Sequence, residues 1–194
     1  TTDLGRRLSW LIAVRLLIVT TLLGWAVLVQ IRTPGVENRA FYLLIALTYG
    51  LSVIYGATLR LAPRRRWIVD VQLACDALLI TAFIALTGAV NSYFSSLYFL
   101  PIIAAGSLQF RRGALTVALL SALMYVGVVV LQYQEMLAVP AWLRTPATPL
   151  PAVRVAVYTV VTNVFAFSAV AFLAGSLAEG VRIAGVRLER ASTE

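Results

Sequence analysis

Residues 67–86 read WIVDVQLACDALLITAFIAL, a run of twenty residues in which the only charged side chains are two aspartates. A helix rises about 1.5 Å per residue, so twenty helical residues cross roughly 30 Å, the thickness of a membrane's hydrocarbon core. The rest of the chain has the same character, since 61% of its 194 residues are hydrophobic and 12% are charged. This composition is too apolar for one soluble core and predicts a membrane protein.

Six apolar runs have the length of a membrane span, at approximately 8–31, 40–61, 67–86, 93–110, 114–131 and 153–178. The predicted fold class is therefore all-α: a polytopic membrane protein with a bundle of six transmembrane helices and a cytoplasmic C-terminal signalling helix. We place the membrane domain at 1–178 and the start of a helical linker at 179–194. The fourth run carries Pro101 near its middle, which predicts a kink because proline removes a backbone hydrogen bond.

The arginines predict the orientation of these spans. All sixteen basic residues are arginine, and the excess of positive charge in membrane proteins lies on short cytoplasmic loops. With both termini in the cytoplasm, eleven arginines lie on that side, four lie on the other side and Arg15 falls inside the first span. The split supports an even number of spans. It also accounts for the net charge of +8 without nucleic acid, because the arginines are divided among separate loops.

Several classes of chemistry are excluded by composition. The chain has no histidine, which most metalloenzyme, haem and serine- or cysteine-hydrolase sites require. The single cysteine, Cys75, cannot form an intrachain disulfide, and no glycine-rich nucleotide loop is present. We expect no catalytic residue, no metal and no cofactor in this chain.

Ionisable groups inside a span are costly and mark candidate functional positions. Arg15 and Asp76 lie at similar depths in the first and third spans, so an ion pair between them is one prediction. The alternative is that Arg15 extends to the headgroups and Asp76 is a protonated packing residue. Asp70, one turn from the cytoplasmic edge, is expected to face the arginines at 64–66 or Arg15.

Polar residues form two further patches. Gln72, Asp76 and Thr87 share one stripe of the third span, which should face the bundle interior. Asn163, with Thr159 and Thr162, forms the second patch in the sixth span. Hydrogen bonding between helices is the favoured interpretation of both patches, ahead of a ligand site.

The end of the chain has a different periodicity. Spacings of four and three residues separate Leu177, Val181, Ala184, Leu188 and Ala191. This is the a/d pattern of a coiled coil. These positions continue the sixth span without a proline, which predicts a helix that leaves the membrane as a two-stranded rod. An amphipathic helix on the membrane surface is the alternative.

Four segments carry a resemblance to a known family: QLACD at 72–76, LTGAVNSYF at 86–94, LYFLPIIAA at 97–105 and RRG at 111–113. They resemble the multi-span sensor module at the N-terminus of bacterial sensor histidine kinases, above all the kinases that control type IV pilus genes and their NtrB-like relatives.

The positions that match the family's turn and kink are Gly88, Asn91, Ser92 and Pro101. Two positions depart from its pattern, since Ala89 replaces a glycine and Tyr93 replaces a proline.

The resemblance implies the input half of a two-component system in the inner membrane of a bacterium, with both termini cytoplasmic. It implies a homodimer in contact with the lipid bilayer, a pilin as one membrane partner, and a response regulator reached through kinase domains beyond residue 194. Phosphorelay chemistry, ATP and Mg²⁺ are expected only in those domains.

Two other functions remain open from the sequence. Six spans with an intramembrane aspartate, an arginine and a proline-containing helix also suit a small transporter or channel. The same sensor module also suits another output, such as a cyclic-dinucleotide cyclase.

Overall fold

A computed structural model of the chain describes Leu17, Thr20, Thr21 and residues 39–58, 66–136 and 150–191. These residues are helical or lie in short connections, with no strand among them. The elements are α1 (Arg39–Thr58), α2 (Arg66–Leu86), the 3-10 segments η1 (Ala89–Asn91) and η2 (Tyr93–Tyr98), α3 (Phe99–Tyr133) and α4 (Val153–Ala191).

The first predicted span, 8–31, lies outside the described residues except for Leu17, Thr20 and Thr21, which are helical. The Thr20 hydroxyl shares a 2.7 Å hydrogen bond with the Tyr49 hydroxyl of α1. This contact places Thr20 beside α1.

The α3 helix reverses direction at Phe110, whose φ of 60° and ψ of −154° are not helical. The rings of Tyr98 and Tyr125 lie 6.5 Å apart between centroids, whereas a straight helix would separate them by about 40 Å. The chain therefore forms a helical hairpin with a first arm at 99–109 and a second arm at 111–133. These arms correspond to the predicted fourth and fifth spans.

The predicted kink at Pro101 is wrong. The proline lies two residues into the α-helix that begins at Phe99, where no intrahelical partner is needed for the N–H that proline lacks. The preceding residues Tyr93–Tyr98 instead form a 3-10 helix, which continues directly into the α-helix. The fourth span therefore changes helix type, and it does so before Pro101.

Helical bounds elsewhere lie close to the predictions. The helix predicted at 67–86 is α2, Arg66–Leu86, and the run at 40–61 overlaps α1, which begins one residue earlier and ends at Thr58. The run at 153–178 begins α4, which continues as one helix to Ala191. At about 1.5 Å per residue α4 is about 58 Å long, nearly twice the hydrocarbon thickness.

Contacts between elements define two ends of the bundle. The α2 helix runs antiparallel to the first arm, and α4 runs antiparallel to the second arm. The start of α2, the hairpin turn and the later part of α4 share the arginine end, which carries Arg111, Arg112 and Arg182. The loop at 87–92, the end of α3 and Pro151 share the opposite, loop end.

The core is formed by α2, both arms and α4 and is mainly apolar. Many large apolar side chains face outward, among them Phe165 of α4 at 75% exposure. Three described segments are long and apolar enough to cross a membrane: Trp67–Leu86, Phe94–Tyr133 and Val153–Gly185. The second of them contains the helical hairpin. Lipid covers such outward faces, so the helices associate through close packing and hydrogen bonds rather than through the hydrophobic effect.

Candidate functional site

Four polar side chains from four segments meet inside the bundle, and we call them the tyrosine network: Thr81, Tyr98, Tyr125 and Asn163. The hydroxyls of Thr81 and Tyr98 share a 2.6 Å hydrogen bond. The Asn163 Nδ2 donates to the Tyr125 hydroxyl at 3.4 Å. The two tyrosine rings meet edge to face, which connects both pairs. The network therefore links α2, η2, the second arm and α4.

Phe167 of α4 holds the two tyrosine rings of this network. The centroid of its ring lies 5.2 Å from that of the Tyr98 ring and 6.1 Å from that of the Tyr125 ring, both edge to face. All three side chains are fully buried. Such aromatic pairs contribute about 0.5–1.5 kcal/mol beyond the area that they bury. A displacement of α4 therefore changes the packing of both tyrosines.

The position of Tyr98 is set by the loop end. Gly88 has a φ of 101°, a conformation that glycine adopts without the cost of a side chain, and it reverses the chain after α2. The Ser92 hydroxyl accepts a 3.2 Å hydrogen bond from the Phe94 N–H and thereby caps η2. The Thr87 and Ser92 hydroxyls also share a 2.6 Å hydrogen bond, which closes the loop.

The end of α3 holds this loop from the other side. The Gln132 Nε2 donates to the Gly88 carbonyl at 3.3 Å, and the Val90 N–H donates to the Gln132 Oε1 at 3.4 Å. The neighbouring Tyr133 hydroxyl donates to the Pro151 carbonyl at 2.6 Å. The two side chains therefore tie the loop and the start of α4 to the same turn of α3.

At the arginine end the hairpin and α4 approach closely. A Cβ at Gly106 would lie 3.1 Å from the Ala174 Cβ, and a Cβ at Gly175 would lie 2.6 Å from the Arg111 Cα. Glycine and alanine permit this separation because larger side chains would hold the backbones apart. The hairpin turn therefore packs directly on the α4 backbone.

Two arginines stack on aromatic rings across the same contact. The Arg111 Cζ lies 4.8 Å from the centroid of the Phe172 ring, and the Arg182 Cζ lies 5.1 Å from that of Phe110. Both are cation–π distances. Each pair joins the hairpin turn to α4, so movement of either element is transmitted to the other.

The structure gives Asp70 a partner that the sequence did not predict. Asp70 is exposed, and its carboxylate accepts a short hydrogen bond from the Gln109 side chain at the end of the first arm. Of its predicted partners, Arg15, Arg64 and Arg65 lie outside the described residues. The Gln109 contact ties α2 to the hairpin turn.

The Asp76 side chain and the backbone carbonyl of Gln72 contact α1. The Tyr55 hydroxyl lies 3.0 Å from the Gln72 carbonyl and 3.3 Å from the Asp76 Oδ1. Gln72 is buried and Asp76 is half-buried. Because Arg15 lies outside the described residues, the ion pair between Arg15 and Asp76 stays a prediction.

Thr87 does not share a site with Asp76, because it follows the last residue of α2 and lies about 16 Å further along the helix axis. Its hydroxyl donates to the carbonyl of its own helix at Phe83. The structure instead brings Thr87 together with Gly88 and Ser92 in the loop, with Asn91 exposed beside them. A role for these residues in signalling stays a prediction.

The predicted rod positions lie on α4 near its end. Leu177, Val181 and Ala184 are exposed, and Leu188 and Ala191 follow on the same helix. The coiled-coil pairing of these residues stays a prediction. In the predicted patch, the Asn163 Nδ2 donates to the Tyr125 hydroxyl and also to the Thr159 carbonyl at 2.8 Å, whereas the Thr159 and Thr162 hydroxyls donate only to carbonyls of α4.

Sequence reasoning missed Thr81, Tyr98, Tyr125, Gln109 and Gln132. A charged group inside a span stands out in the sequence because burying it is costly. A tyrosine in an apolar run cannot be distinguished from an ordinary aromatic packing residue. The available signal was a hydroxyl or amide in nearly every span, because each such group needs a partner inside a membrane.

The profile of the PilS-like transmembrane domain family matches residues 1–186 of the chain. The chain belongs to this family. The match covers nearly all of the sequence and confirms both the resemblance and the all-α, six-span fold class. No curated protein and no solved structure matches the chain significantly.

The described part of this PilS-like domain supplies no group of three side chains suited to a metal ion. The polar side chains of the tyrosine network and of the loop end hydrogen-bond to one another or to the backbone, as expected of contacts that set helix positions. The geometry of the PilS-like domain suits a change of helix packing: the tyrosine network lies within the bundle, and the hairpin contact lies at its arginine end.

Proposed function

We propose that the chain is the membrane sensor module of a bacterial sensor histidine kinase. In this proposal a stimulus in the membrane or at its surface alters the packing around the tyrosine network, and α4 transmits the change to kinase domains beyond it. The supporting observation is that one helix, Val153–Ala191, carries several of these contacts. It holds Asn163 of the network, Phe167 against the two tyrosine rings, Gly175 at the hairpin and the exit positions beyond.

The proposed change is a shift between two packings of the bundle. A stimulus alters such an equilibrium only if it binds one packing more tightly than the other. A shift or rotation of α4 by about 1–2 Å is within the range of known helix movements at interfaces. The Phe167 ring transmits the change from the tyrosines to α4, and the hairpin contact fixes the direction in which α4 leaves the bundle.

The finer features of the proposal follow the family resemblance. The module is a homodimer in the inner membrane of a bacterium, with both termini in the cytoplasm. Its kinase domains bind ATP and Mg²⁺ and transfer the phosphoryl group to a response regulator. An intramembrane pilin helix is the proposed stimulus. Support for the orientation comes from the described arginines, since Arg111, Arg112 and Arg182 lie at one end and Arg154 lies at the other.

The test removes one hydrogen bond of the network from the full-length protein. Tyr98→Phe and Thr81→Val each delete the bond between these hydroxyls and keep the shape of the side chain. Such a bond contributes about 1 kcal/mol, so we expect basal autophosphorylation in membranes to change about fivefold. Both variants should change it in the same direction, because they remove the same interaction.

Tyr158→Phe is the matched control, because Tyr158 lies on α4 at 73% exposure and is not part of the network. It should leave the rate unchanged. Unchanged phosphorylation in both network variants, at normal expression, would contradict the proposal. Solute uptake by proteoliposomes that contain the chain would support a transporter instead.

A further inference from the structure

Three arginines at the arginine end have no carboxylate partner among the side chains that the structure describes. Arg111, Arg112 and Arg182 are exposed. Within residues 66–136 and 150–191, none of the three pairs with a carboxylate. Glu179 lies one turn before Arg182 without pairing to it, and the Asp70 carboxylate is occupied by Gln109. Among the described side chains, the positive charge of these three arginines, the arginine cluster, is therefore left for an anion to neutralise.

Two of these guanidiniums are held in place. Arg111 lies over the Phe172 ring and Arg182 over the Phe110 ring, and Phe110 directly precedes Arg111 in the chain. Stacking reduces the side-chain entropy lost on binding, because a planar guanidinium fixed on a ring keeps its N–H groups available at the edge. Both arginines therefore present donors around one hairpin turn.

The surroundings of the cluster favour a lipid over a soluble anion. Phe172 is 48% exposed, Leu173 beside it is 65% exposed, and Leu115 lies one turn beyond Arg111 with 42% exposure. These apolar side chains continue the lipid-facing surface of the spans up to the charged cluster. A ligand with an anionic head and acyl chains matches both parts of this surface.

We propose that Arg111, Arg112 and Arg182 form a binding site for the phosphate headgroup of an anionic glycerophospholipid, whose acyl chains lie along Phe172 and Leu173. Basic clusters between transmembrane helices are a known form of lipid recognition. The bound headgroup bridges the hairpin turn and α4. This site requires only that the chain lies in a membrane and does not depend on the proposed kinase role.

The test measures lipid retention by native mass spectrometry of the full-length protein, with phosphatidylglycerol and phosphatidylcholine as probes. Phosphatidylglycerol should bind at least tenfold more tightly than phosphatidylcholine. Arg111→Gln combined with Arg182→Gln should weaken phosphatidylglycerol binding about thirtyfold, and Arg112→Gln about fivefold. Glu179→Gln should strengthen it.

Arg154→Gln is the matched control, because Arg154 is an exposed arginine of the same helix at the opposite end. It should leave binding unchanged; an equal loss there would overturn the site in favour of a general charge effect. Equal retention of both lipids would overturn it as well. Inorganic phosphate that displaces the lipid at millimolar concentration would show that the site takes a free anion and would also overturn the proposal.

Replacement by lysine separates the site from loss of folding. Arg111→Lys combined with Arg182→Lys keeps the charge but loses the planar fork and its stacking on the rings. We expect this variant to retain native helicity and to bind phosphatidylglycerol about fivefold more weakly. Binding at the wild-type level would overturn the stacked geometry.

Discussion

The backbone of Arg111 lies against Gly175 so closely that a Cβ at residue 175 would come within 2.6 Å of the Arg111 Cα. Because the neighbouring atom is backbone, no side-chain rotation relieves this contact. The two helices must move apart if residue 175 has any side chain. Gly175 is therefore the position at which the hairpin turn and α4 depend most directly on a single residue.

Gly175→Ala should consequently destabilise the protein. Overpacking of a close contact costs about 1–3 kcal/mol, which exceeds the gain in helix propensity when alanine replaces glycine. The free energy of unfolding in mixed detergent micelles, followed by circular dichroism, measures the effect. Gly180→Ala is the control, because nothing lies within 4 Å of a Cβ at Gly180. The control should stabilise α4 by about 0.5–1 kcal/mol, and equal effects at both positions would contradict this account.

Asn163→Leu tests the tyrosine network by a different route. It removes the hydrogen bond to the Tyr125 hydroxyl and should lower the free energy of unfolding by about 0.6–2 kcal/mol. Thr162→Val is the matched control, since the exposed Thr162 hydroxyl bonds only to the carbonyl of Tyr158 in its own helix. A double-mutant cycle with Tyr125→Phe should give a coupling of about 0.6 kcal/mol, and zero coupling would show that the two side chains act independently.

Gln132→Leu should release the loop at 87–92. The Val90 N–H loses its acceptor, the Gln132 Oε1, so its hydrogen–deuterium exchange should accelerate at least fivefold by mass spectrometry. The control, Gln134→Leu, replaces an exposed amide two residues along and should leave the exchange of the loop unchanged. Unaltered exchange in Gln132→Leu would mean that Gly88 and Ser92 hold the loop without this side chain.

The helices were predictable from the sequence because the membrane imposes their length. The run at 67–86 needed about twenty apolar residues to cross the hydrocarbon core, and the helix found is Arg66–Leu86. The position of the hairpin turn was equally accessible, since Arg111 and Arg112 indicated a turn between two spans. Both inferences depend on composition summed over many residues, so one atypical residue does not change them.

The tyrosine network was not predictable, because it depends on the relative heights of separate helices. Helical periodicity gives the face of α2 on which Thr81 lies. Which hydroxyl lies opposite Thr81 depends instead on the turns before and after Tyr98. In the second of those turns the chain reverses at Phe110, which adopts a positive φ that is uncommon for residues other than glycine. The close packing of Arg111 on Gly175 holds the chain there, and this contact joins residues distant in sequence.

The exposed stripe on the end of α4 gives the most direct test of the predicted rod. Leu177 is 71% exposed and Val181 63% exposed, so none of the described residues covers this apolar surface at the end of α4. With cysteine introduced at Ala184 in a Cys75→Ala background, mild oxidation of native membranes should give a disulfide-linked dimer, since a and d positions of paired helices lie face to face. Cysteine at Ile183, exposed on α4 and about 100° around the helix from Ala184, is the control and should crosslink far less. Equal crosslinking at the two positions would indicate random collision in the membrane, and a monomer at both would exclude a paired exit helix.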